Sequence, residues 1–242
     1  MNNLILITRP KQFAKKLASQ LLKANYQTFL FPTITIEPIM PVVTPDLALF
    51  KKLIFISQSA VEHFFQHTRL SGYTGDVIAV GRATAALLTL HGVNNVIVPA
   101  EQNSEGVLTL HELQVIQQQN ILIVAGLGGK ETLQTELTQR GARVEKLAVY
   151  QRSKPQIDTR ELKTQWSNIS TIVCTSGESL NNLIDLLHPQ LGEELFDKAL
   201  LVISKNMLNL AEHLGFHTII QAATAHDDDI IHALNQWKES YD

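Results

Sequence analysis

Short apolar runs alternate with helical patterns along almost the whole chain of 242 residues. The run "LILI" at 4–7 precedes a segment in which Phe13, Leu17 and Leu21 recur at helical spacing. The same order returns at "ILIV" (121–124) and at "TIVC" (171–174). Strands that are apolar throughout are typical of parallel sheets covered on both faces. The alternation therefore predicts an α/β fold.

The same order of motifs also occurs twice in the chain. "LILITRP" from position 4 resembles "ILIVAGLGGKETL" from position 121, and "LIFISQSAV" from 53 resembles "TIVCTSGESL" from 171, with Ser57 matching Ser176. "VIAVGRATA" from 77 resembles "LVISKNM" from 201. A repeat that keeps its order and its spacing predicts two similar structural units. We expect two flavodoxin-like or Rossmann-like lobes, each with a parallel sheet.

The strand-like runs do not divide evenly at the middle of the chain. The segment 38–147 has runs at 53, 77, 96, 121 and 143, and the remainder has runs at 4, 28, 171, 200 and 217. We therefore expect a discontinuous lobe 1 (1–36 plus 152–242), an inserted lobe 2 (38–147), and a connecting two-stranded ladder (33–38 and 147–152). Two contiguous halves are the alternative.

The glycine cluster at 126–129 looks like a phosphate loop, but both nucleotide fingerprints fail. Glu131 stands where the third glycine of a dinucleotide loop belongs, and Val124 stands where a P-loop needs glycine. The matching place in the first copy is Thr8-Arg9-Pro10, without glycine. Both are strand-to-helix turns at the carboxyl edge of a sheet, where ligands bind and helix N-termini favour anions. An anion site and a plain tight turn stay open.

The same edge carries many hydroxyls, amides and cations in both lobes. Such a set suits a polyanionic ligand held by N–H groups, hydroxyls and a few cations. Helix capping is the alternative explanation for any single Ser or Thr. The predicted binding residues are Thr8, Arg9, Ser57, Gln58, Ser59, Gly81, Arg82, Thr84, Ser104, Gly128, Lys130, Thr175, Ser176, Ser204 and Asn206.

Charge and composition exclude several other classes of protein. The net charge is −3, and Lys and Arg form no run of the kind that binds nucleic acid. No apolar run reaches the roughly 18 residues that a membrane span needs, and the N-terminus does not look like a signal peptide. The single cysteine, Cys174, excludes a disulfide framework and favours the cytoplasm. His63 and His67 are interpreted as solvated helix residues, and Asp227 to Asp229 as a helix start, so we expect no metal.

Several of these segments carry a family resemblance. They are "ILITRP", "FPTITIEP", "IFISQSAV", "VIAVGRATAALLTLHG", "SEGVLTL", "GLGGKETLQTELTQRGARVEKLAVYQR" and "VCTSGESLNNL". In this order the chain resembles the uroporphyrinogen-III synthases of gamma-proteobacteria over nearly its full length. The resemblance implies two α/β lobes joined by a two-stranded ladder, with the active site in the cleft. It implies that hydroxymethylbilane loses water and closes, with inversion of ring D, to uroporphyrinogen III without a metal or organic cofactor.

The resemblance also implies roles for individual residues. Tyr150 in "LAVYQR" matches the tyrosine best placed to assist departure of the hydroxyl, although a packed hinge residue is the alternative. Thr84 matches a threonine near the substrate, and Ser57 and Ser176 match the Thr-Ser positions of the two lobes. The stretch "ISKNM" departs from the family pattern, so Asn206 is the expected replacement for a hydroxyl contact.

The expected ligand is a linear tetrapyrrole with eight carboxylates. We expect a cytoplasmic monomer that binds neither nucleic acid nor membrane and that touches the enzyme making hydroxymethylbilane only transiently. Fold alone does not fix function, so a two-lobed binding protein for small anions, without catalysis, is the alternative. A nucleotide-sugar transferase is disfavoured because both nucleotide fingerprints fail.

Overall fold

The chain forms two compact units in a computed structural model that describes residues 4–40, 45–129 and 131–240. Unit 1 combines the part up to Thr35 with the part from Ser153 onward, and unit 2 runs from Ile36 to Arg152. The strands are β1 (Leu4–Ile7), β2 (Gln27–Leu30), β3 (Thr35–Pro38), β4 (Lys52–Phe55), β5 (Asp76–Ala79), β6 (Asn120–Gly126), β7 (Arg143–Ser153), β8 (Ile169–Val173), β9 (Ala199–Val202) and β10 (Ile219–Gln221).

Helices follow most of the strands in both units. They are α1 (Lys11–Lys23), α2 (Gln58–His67), α3 (Arg82–Leu90), α4 (Ser104–Leu108), α5 (Thr132–Gln139), α6 (Arg160–Gln165), α7 (Gly177–Leu191), α8 (Lys205–Leu214) and α9 (Asp227–Glu239). Short 3-10 turns lie at Leu47–Leu49, His111–Leu113, Trp166–Asn168 and Gly192–Leu195.

Unit 1 contains a parallel sheet in the order β10-β9-β8-β1-β2. Counted along the unit, this is the 2-1-3-4-5 order of flavodoxin-like folds, whose switch point lies between β1 and β8. Leu6 of β1 packs into one apolar cluster, while Ile5 and Ile7 pack into the other. Successive side chains of a strand alternate between faces, so both faces of this sheet are covered. The predicted α/β class with parallel sheets is confirmed.

Unit 2 contains a second sheet in the order β3-β7-β6-β4-β5, and its β7, β6, β4 and β5 are parallel. Leu53 and Phe55 of β4 pack on one face and Ile54 packs on the other. The switch point of this sheet lies between β6 and β4. The boundaries between the units fall inside β3 and β7, which are neighbours at the sheet edge.

One expected strand of unit 2, the run "VIVP" at 96–99, is reduced to a single bridge. Ile97 N donates to Val77 O and Ala79 N donates to Ile97 O, both at 2.9 Å. The next N–H needed to extend this parallel ladder belongs to position 99, which is proline. Because proline has no N–H, pairing ends there.

Candidate functional site

The carboxyl edge of the unit 2 sheet brings together two residues predicted from the sequence. Ser57 ends the β4 segment and caps α2, where its Oγ accepts a hydrogen bond from Ala60 N at 3.0 Å. The same Oγ lies 3.1 Å from the hydroxyl of Tyr150 on β7. Tyr150 is only 2% exposed, and Ser57 is half-buried. The serine is therefore the more accessible end of a hydroxyl pair at the switch point of the sheet.

The glycine cluster makes room for the ring of this tyrosine. Gly126 pairs directly with Tyr150 across β6 and β7, and a Cβ at Gly126 would lie 2.7 Å from two ring carbons of Tyr150. Gly128 and Gly129 have φ of 73° and 84°, a region that favours glycine. The side chain of Lys146 donates to Gly128 O. The cluster is thus a close approach followed by a left-handed turn, and Lys130 lies outside the described residues.

Two further residues lie beside Tyr150: Arg152, which the sequence analysis missed, and His63, which it interpreted as a solvated helix residue. Arg152 lies two positions further along β7, and its Nη2 is 3.4 Å from the Tyr150 hydroxyl. His63 of α2 has its ring centroid 5.9 Å from that of Tyr150. Its Nδ1 is buried and has no hydrogen-bond partner within the described parts of the chain. The period-2 spacing on a strand is the signal that points to Arg152. His63 is half-buried and not solvated as expected, because its ring packs beside Tyr150.

The start of α3 has a different arrangement. Gly81 and Thr84 are buried, whereas Arg82 is exposed. The backbone N of Arg82 donates to Oε1 of Gln102 at 2.9 Å, so an amide oxygen holds this helix start. Ser104 begins α4, but its neighbour Asn103 makes the cap by accepting from Gly106 N. Among the residues predicted here, Arg82 is the exposed cation.

In unit 1, Thr8 is turned into the core instead of toward a ligand. It is fully buried, and its Oγ1 donates to Val173 O at 2.9 Å and lies 2.8 Å from the Ser179 hydroxyl. Thr33 joins the same cluster by donating to Ser179 O at 3.0 Å. The Thr8 hydroxyl therefore has partners remote in sequence in this structure, and its contact with a ligand stays a prediction.

Arg9 is likewise engaged within unit 1. Its side chain is 8% exposed, its Nη1 lies 2.7 Å from Asp227 Oδ1, and its Nη2 donates to Ala225 O. Burial lowers the pKa of the Arg9 guanidinium, and the bond to Asp227 opposes that shift. Arg9 therefore contacts the start of α9 in this structure, and its role as an anchor for an anion stays a prediction.

The remaining predicted residues lie at helix starts. Ser176 caps α7 by accepting from Ser179 N at 3.1 Å, and Ser204 caps α8 by accepting from Met207 N at 3.3 Å. Asn206 is exposed at the start of α8, and Thr175 is half-buried before α7. Beside Ser57, Gln58 is half-buried and Ser59 is buried. Capping is thus a demonstrated role of three serines, and it leaves their helix N-termini directed at the carboxyl edges.

Two other properties concern metals and membranes. Within residues 4–40, 45–129 and 131–240, no group of three or more His, Cys, Asp or Glu side chains is arranged to hold a metal ion. In the same parts of the chain, no helix combines the length and the apolar character that a membrane crossing requires.

The two largely parallel sheets and their polar carboxyl edges define an α/β protein with two parallel-sheet units. The model of the family described as Uroporphyrinogen-III synthase HemD matches residues 15–232. The uroporphyrinogen-III synthase of Escherichia coli K12 is 35% identical over 246 aligned residues, which cover 95% of this chain and 99% of that protein. The synthase of Salmonella typhimurium LT2 has the same identity and coverage. The chain therefore belongs to the uroporphyrinogen-III synthase family.

Solved structures agree with the fold. The uroporphyrinogen-III synthetase of Helicobacter pylori has a TM-score of 0.65 at 14% identity, and the alignment covers 98% of this chain and 100% of that one. A mutant uroporphyrinogen III synthase of Thermus thermophilus has a TM-score of 0.62 at 15% identity, with 98% of each chain covered. The fold is thus kept where the sequences have diverged widely.

Proposed function

We propose that the chain closes hydroxymethylbilane to uroporphyrinogen III, with loss of water and inversion of ring D. Family membership makes the chain a uroporphyrinogen-III synthase, a cyclising lyase of tetrapyrrole biosynthesis. It favours this function over the alternative of an anion-binding protein without catalysis. The observation that carries the proposed mechanism is the pair of hydroxyls, Ser57 and Tyr150, at the switch point of the unit 2 sheet.

The substrate has eight carboxylates, and the carboxyl edges of both units offer donors for them. Arg82 and Asn206 are exposed, and the N-termini of α2, α7 and α8 present N–H groups to the edge. We propose that these donors bind carboxylates of the tetrapyrrole, together with Gly128 and Lys130. Gln58, Thr175, Ser176 and Ser204 complete the set of half-buried polar groups that line the edges.

Holding the substrate is also the source of selectivity. Closure in solution gives the uninverted isomer I, whereas the enzyme must make ring D react through its substituted carbon. A preference of about 99:1 requires only about 2.7 kcal/mol between the two transition states. Positioning of a flexible chain supplies energies of that size. The proposal therefore requires no covalent intermediate on the protein.

Departure of the substrate hydroxyl requires a proton, and we assign its source to Tyr150. A phenol donates a hydrogen bond at neutral pH, and proton donation typically accelerates such steps by about 10²- to 10⁴-fold. Because Tyr150 is 2% exposed, we propose that Ser57 passes the proton from the phenol to the leaving oxygen. The 3.1 Å separation of their oxygens supports this relay.

The setting of the enzyme follows from the same chemistry. We propose that it works as a monomer in the cytoplasm and needs neither metal nor organic cofactor, since the leaving hydroxyl and the pyrroles supply the reactive groups. A short-lived substrate favours brief contact with the enzyme that makes it.

The test is a coupled assay in which hydroxymethylbilane is generated enzymatically in situ and the oxidised products are separated by chromatography. We expect isomer III to dominate with the wild-type protein and Tyr150→Phe to lower turnover by about 100-fold. Isomer I alone, from protein with native circular dichroism, would contradict the proposed function. Unchanged turnover in Tyr150→Phe would contradict only the role of the phenol.

A further inference from the structure

Arg152 lies next to Tyr150, and its position defines the direction of the hydrogen bond between them. The two residues lie two positions apart on β7 and therefore point to the same face. The guanidinium carbon lies 5.9 Å from the centre of the Tyr150 ring, and Nη2 lies 3.4 Å from its hydroxyl. Arg152 is exposed although the phenol beneath it is buried. A cation therefore lies next to a phenol oxygen that solvent scarcely reaches.

The hydrogen bonds around this oxygen form an ordered chain. An arginine N–H only donates, so the Tyr150 oxygen accepts from Arg152 and its own proton points elsewhere. Among the described contacts of this hydroxyl, Ser57 Oγ, at 3.1 Å, is the acceptor. Because Ser57 Oγ also accepts from Ala60 N, its own proton is free to point away from the helix start. The chain thus runs from Arg152 through Tyr150 to Ser57 and outward.

We propose that Arg152 is a positioning residue for the cyclisation, acting through Tyr150. It orients the phenol toward Ser57 and stabilises the negative charge that the phenol oxygen gains as its proton leaves. This inference rests on the function proposed above and names a residue for one step of it. Its present donor–acceptor distance is long for an N–H···O bond, and such bonds shorten when the acceptor becomes charged.

The step balances in atoms and in charge. The C–O bond of the hydroxymethyl group breaks and its electron pair leaves with the oxygen. That oxygen takes the Ser57 hydroxyl proton while Ser57 takes the proton of Tyr150, so that water, a cationic azafulvene and a phenolate remain. The phenolate regains a proton, again through Ser57, when the closed macrocycle releases one as its last pyrrole becomes aromatic.

The experiment is a double-mutant cycle read by steady-state kinetics and by the ratio of isomers III and I. We expect Arg152→Met to lower kcat by about 10- to 100-fold, with KM changed less than about threefold, and Arg152→Lys to recover part of the loss. In the Tyr150→Phe background, Arg152→Met should change kcat by less than about twofold, because its target is already gone. Lys154→Met is the matched control, since Lys154 is an exposed cation paired with Asp185 at 3.0 Å. It should keep wild-type rates.

The outcomes separate this inference from the proposed function. An equal loss in both backgrounds, carried mainly by KM, would show that Arg152 binds a substrate carboxylate and would overturn the inference. So would a wild-type kcat in Arg152→Met. If the wild-type protein itself forms no isomer III, the proposed function fails and the inference fails with it. Urea unfolding of Arg152→Met and Arg152→Lys checks that a lost rate is not a lost fold.

Discussion

The two units use the same strand-to-helix turn in opposite ways. After β1 the turn carries Thr8 and Arg9, and at the matching place the end of β6 carries Ala125 and Gly126. In unit 1 both side chains are folded inward, the threonine into a hydroxyl cluster and the arginine onto Asp227. In unit 2 the turn has almost no side chains, and the ring of Tyr150 occupies the space. At this place the polar side chains of unit 1 are structural, whereas the bare turn of unit 2 makes room for Tyr150.

The neighbouring strand repeats this difference. Cys174 of unit 1 lies 3.2 Å from the Thr8 hydroxyl, whereas the matching Phe55 of unit 2 packs among Phe64 and Phe65. Both units keep a capping serine at the next position but one, Ser176 or Ser57. Only Ser57 adds a bond to a tyrosine among the described contacts. The two units therefore share a backbone arrangement but differ in the side chains that pack inside them. The candidate catalytic pair lies in unit 2, whose turn carries almost no side chains.

Replacing Arg9 should have the largest effect on stability, and it should act on unit 1. In Arg9→Met the Asp227 carboxylate loses its ion-pair partner. The Asp227 side chain is 12% exposed, and in the described structure the remaining ion-pair partner is Lys16, at 4.0 Å. Loss of one partner of a buried ion pair costs about 3 kcal/mol. Both tryptophans, Trp166 and Trp237, belong to unit 1, so their fluorescence during urea unfolding measures the loss.

A second variant decides whether the ion pair is the cause. In Arg9→Met with Asp227→Asn the uncompensated charge is gone, and we expect about half of the lost stability to return. If the double variant is no more stable than Arg9→Met, the loss comes from packing of the arginine stem instead.

Replacing Gly126 with alanine adds a methyl group to the turn of unit 2. It should destabilise unit 2 less than Arg9→Met destabilises unit 1. Gly126→Ala places a Cβ against the Tyr150 ring, so the ring must shift from Ser57. Overpacking of this kind costs about 2 kcal/mol. We expect unit 2 to unfold earlier by circular dichroism, with tryptophan fluorescence unchanged, and turnover to fall about as far as in Tyr150→Phe.

Two variants sharpen this test. Gly177→Ala is the matched control, because its Cβ meets only Leu210, at 3.4 Å, among the described residues. In a Tyr150→Leu background the added methyl group should cost little, because the ring it collides with is absent. An equal cost with leucine at position 150 would show that the backbone of the turn, not the ring, rejects a side chain.

The sequence predicted the alternation of strands and helices and the parallel class because those depend on local apolar runs. It also marked Ser57 and, through the family resemblance, Tyr150. It did not show that the side chains of Thr8 and Arg9 turn inward, because their direction is decided by Ser179 and Asp227, which are remote in sequence. It left open whether the glycine cluster is an anion site or a plain tight turn, because a glycine that makes room for a ring from the next strand carries no local signal.

The smallest predicted effect concerns pH and again separates the units. Burial raises the pKa of the Cys174 thiol from its ordinary 9.0 to about 11, while the hydroxyls of Thr8 and Ser179 act in the opposite direction. Above about pH 9 the unfolded chain loses this proton while the folded chain keeps it, so stability falls until about pH 11. The full contribution of the buried thiol to stability is present below about pH 9. At about pH 10 the loss is about 1.4 kcal/mol.

Cys174→Ala removes the thiol from unit 1. The matching residue of unit 2, Phe55, has no titratable group. We compare urea unfolding, read by tryptophan fluorescence in reducing buffer, at about pH 8 and about pH 10. The alkaline loss should be about 1.4 kcal/mol smaller in Cys174→Ala than in the wild type, whatever the baseline cost of the substitution. Lysines and tyrosines titrate alike in both proteins, so their contribution cancels in this difference. An identical alkaline loss would mean that the thiol is hydrated in the folded protein and that the inward-facing polar cluster of unit 1 is open to water.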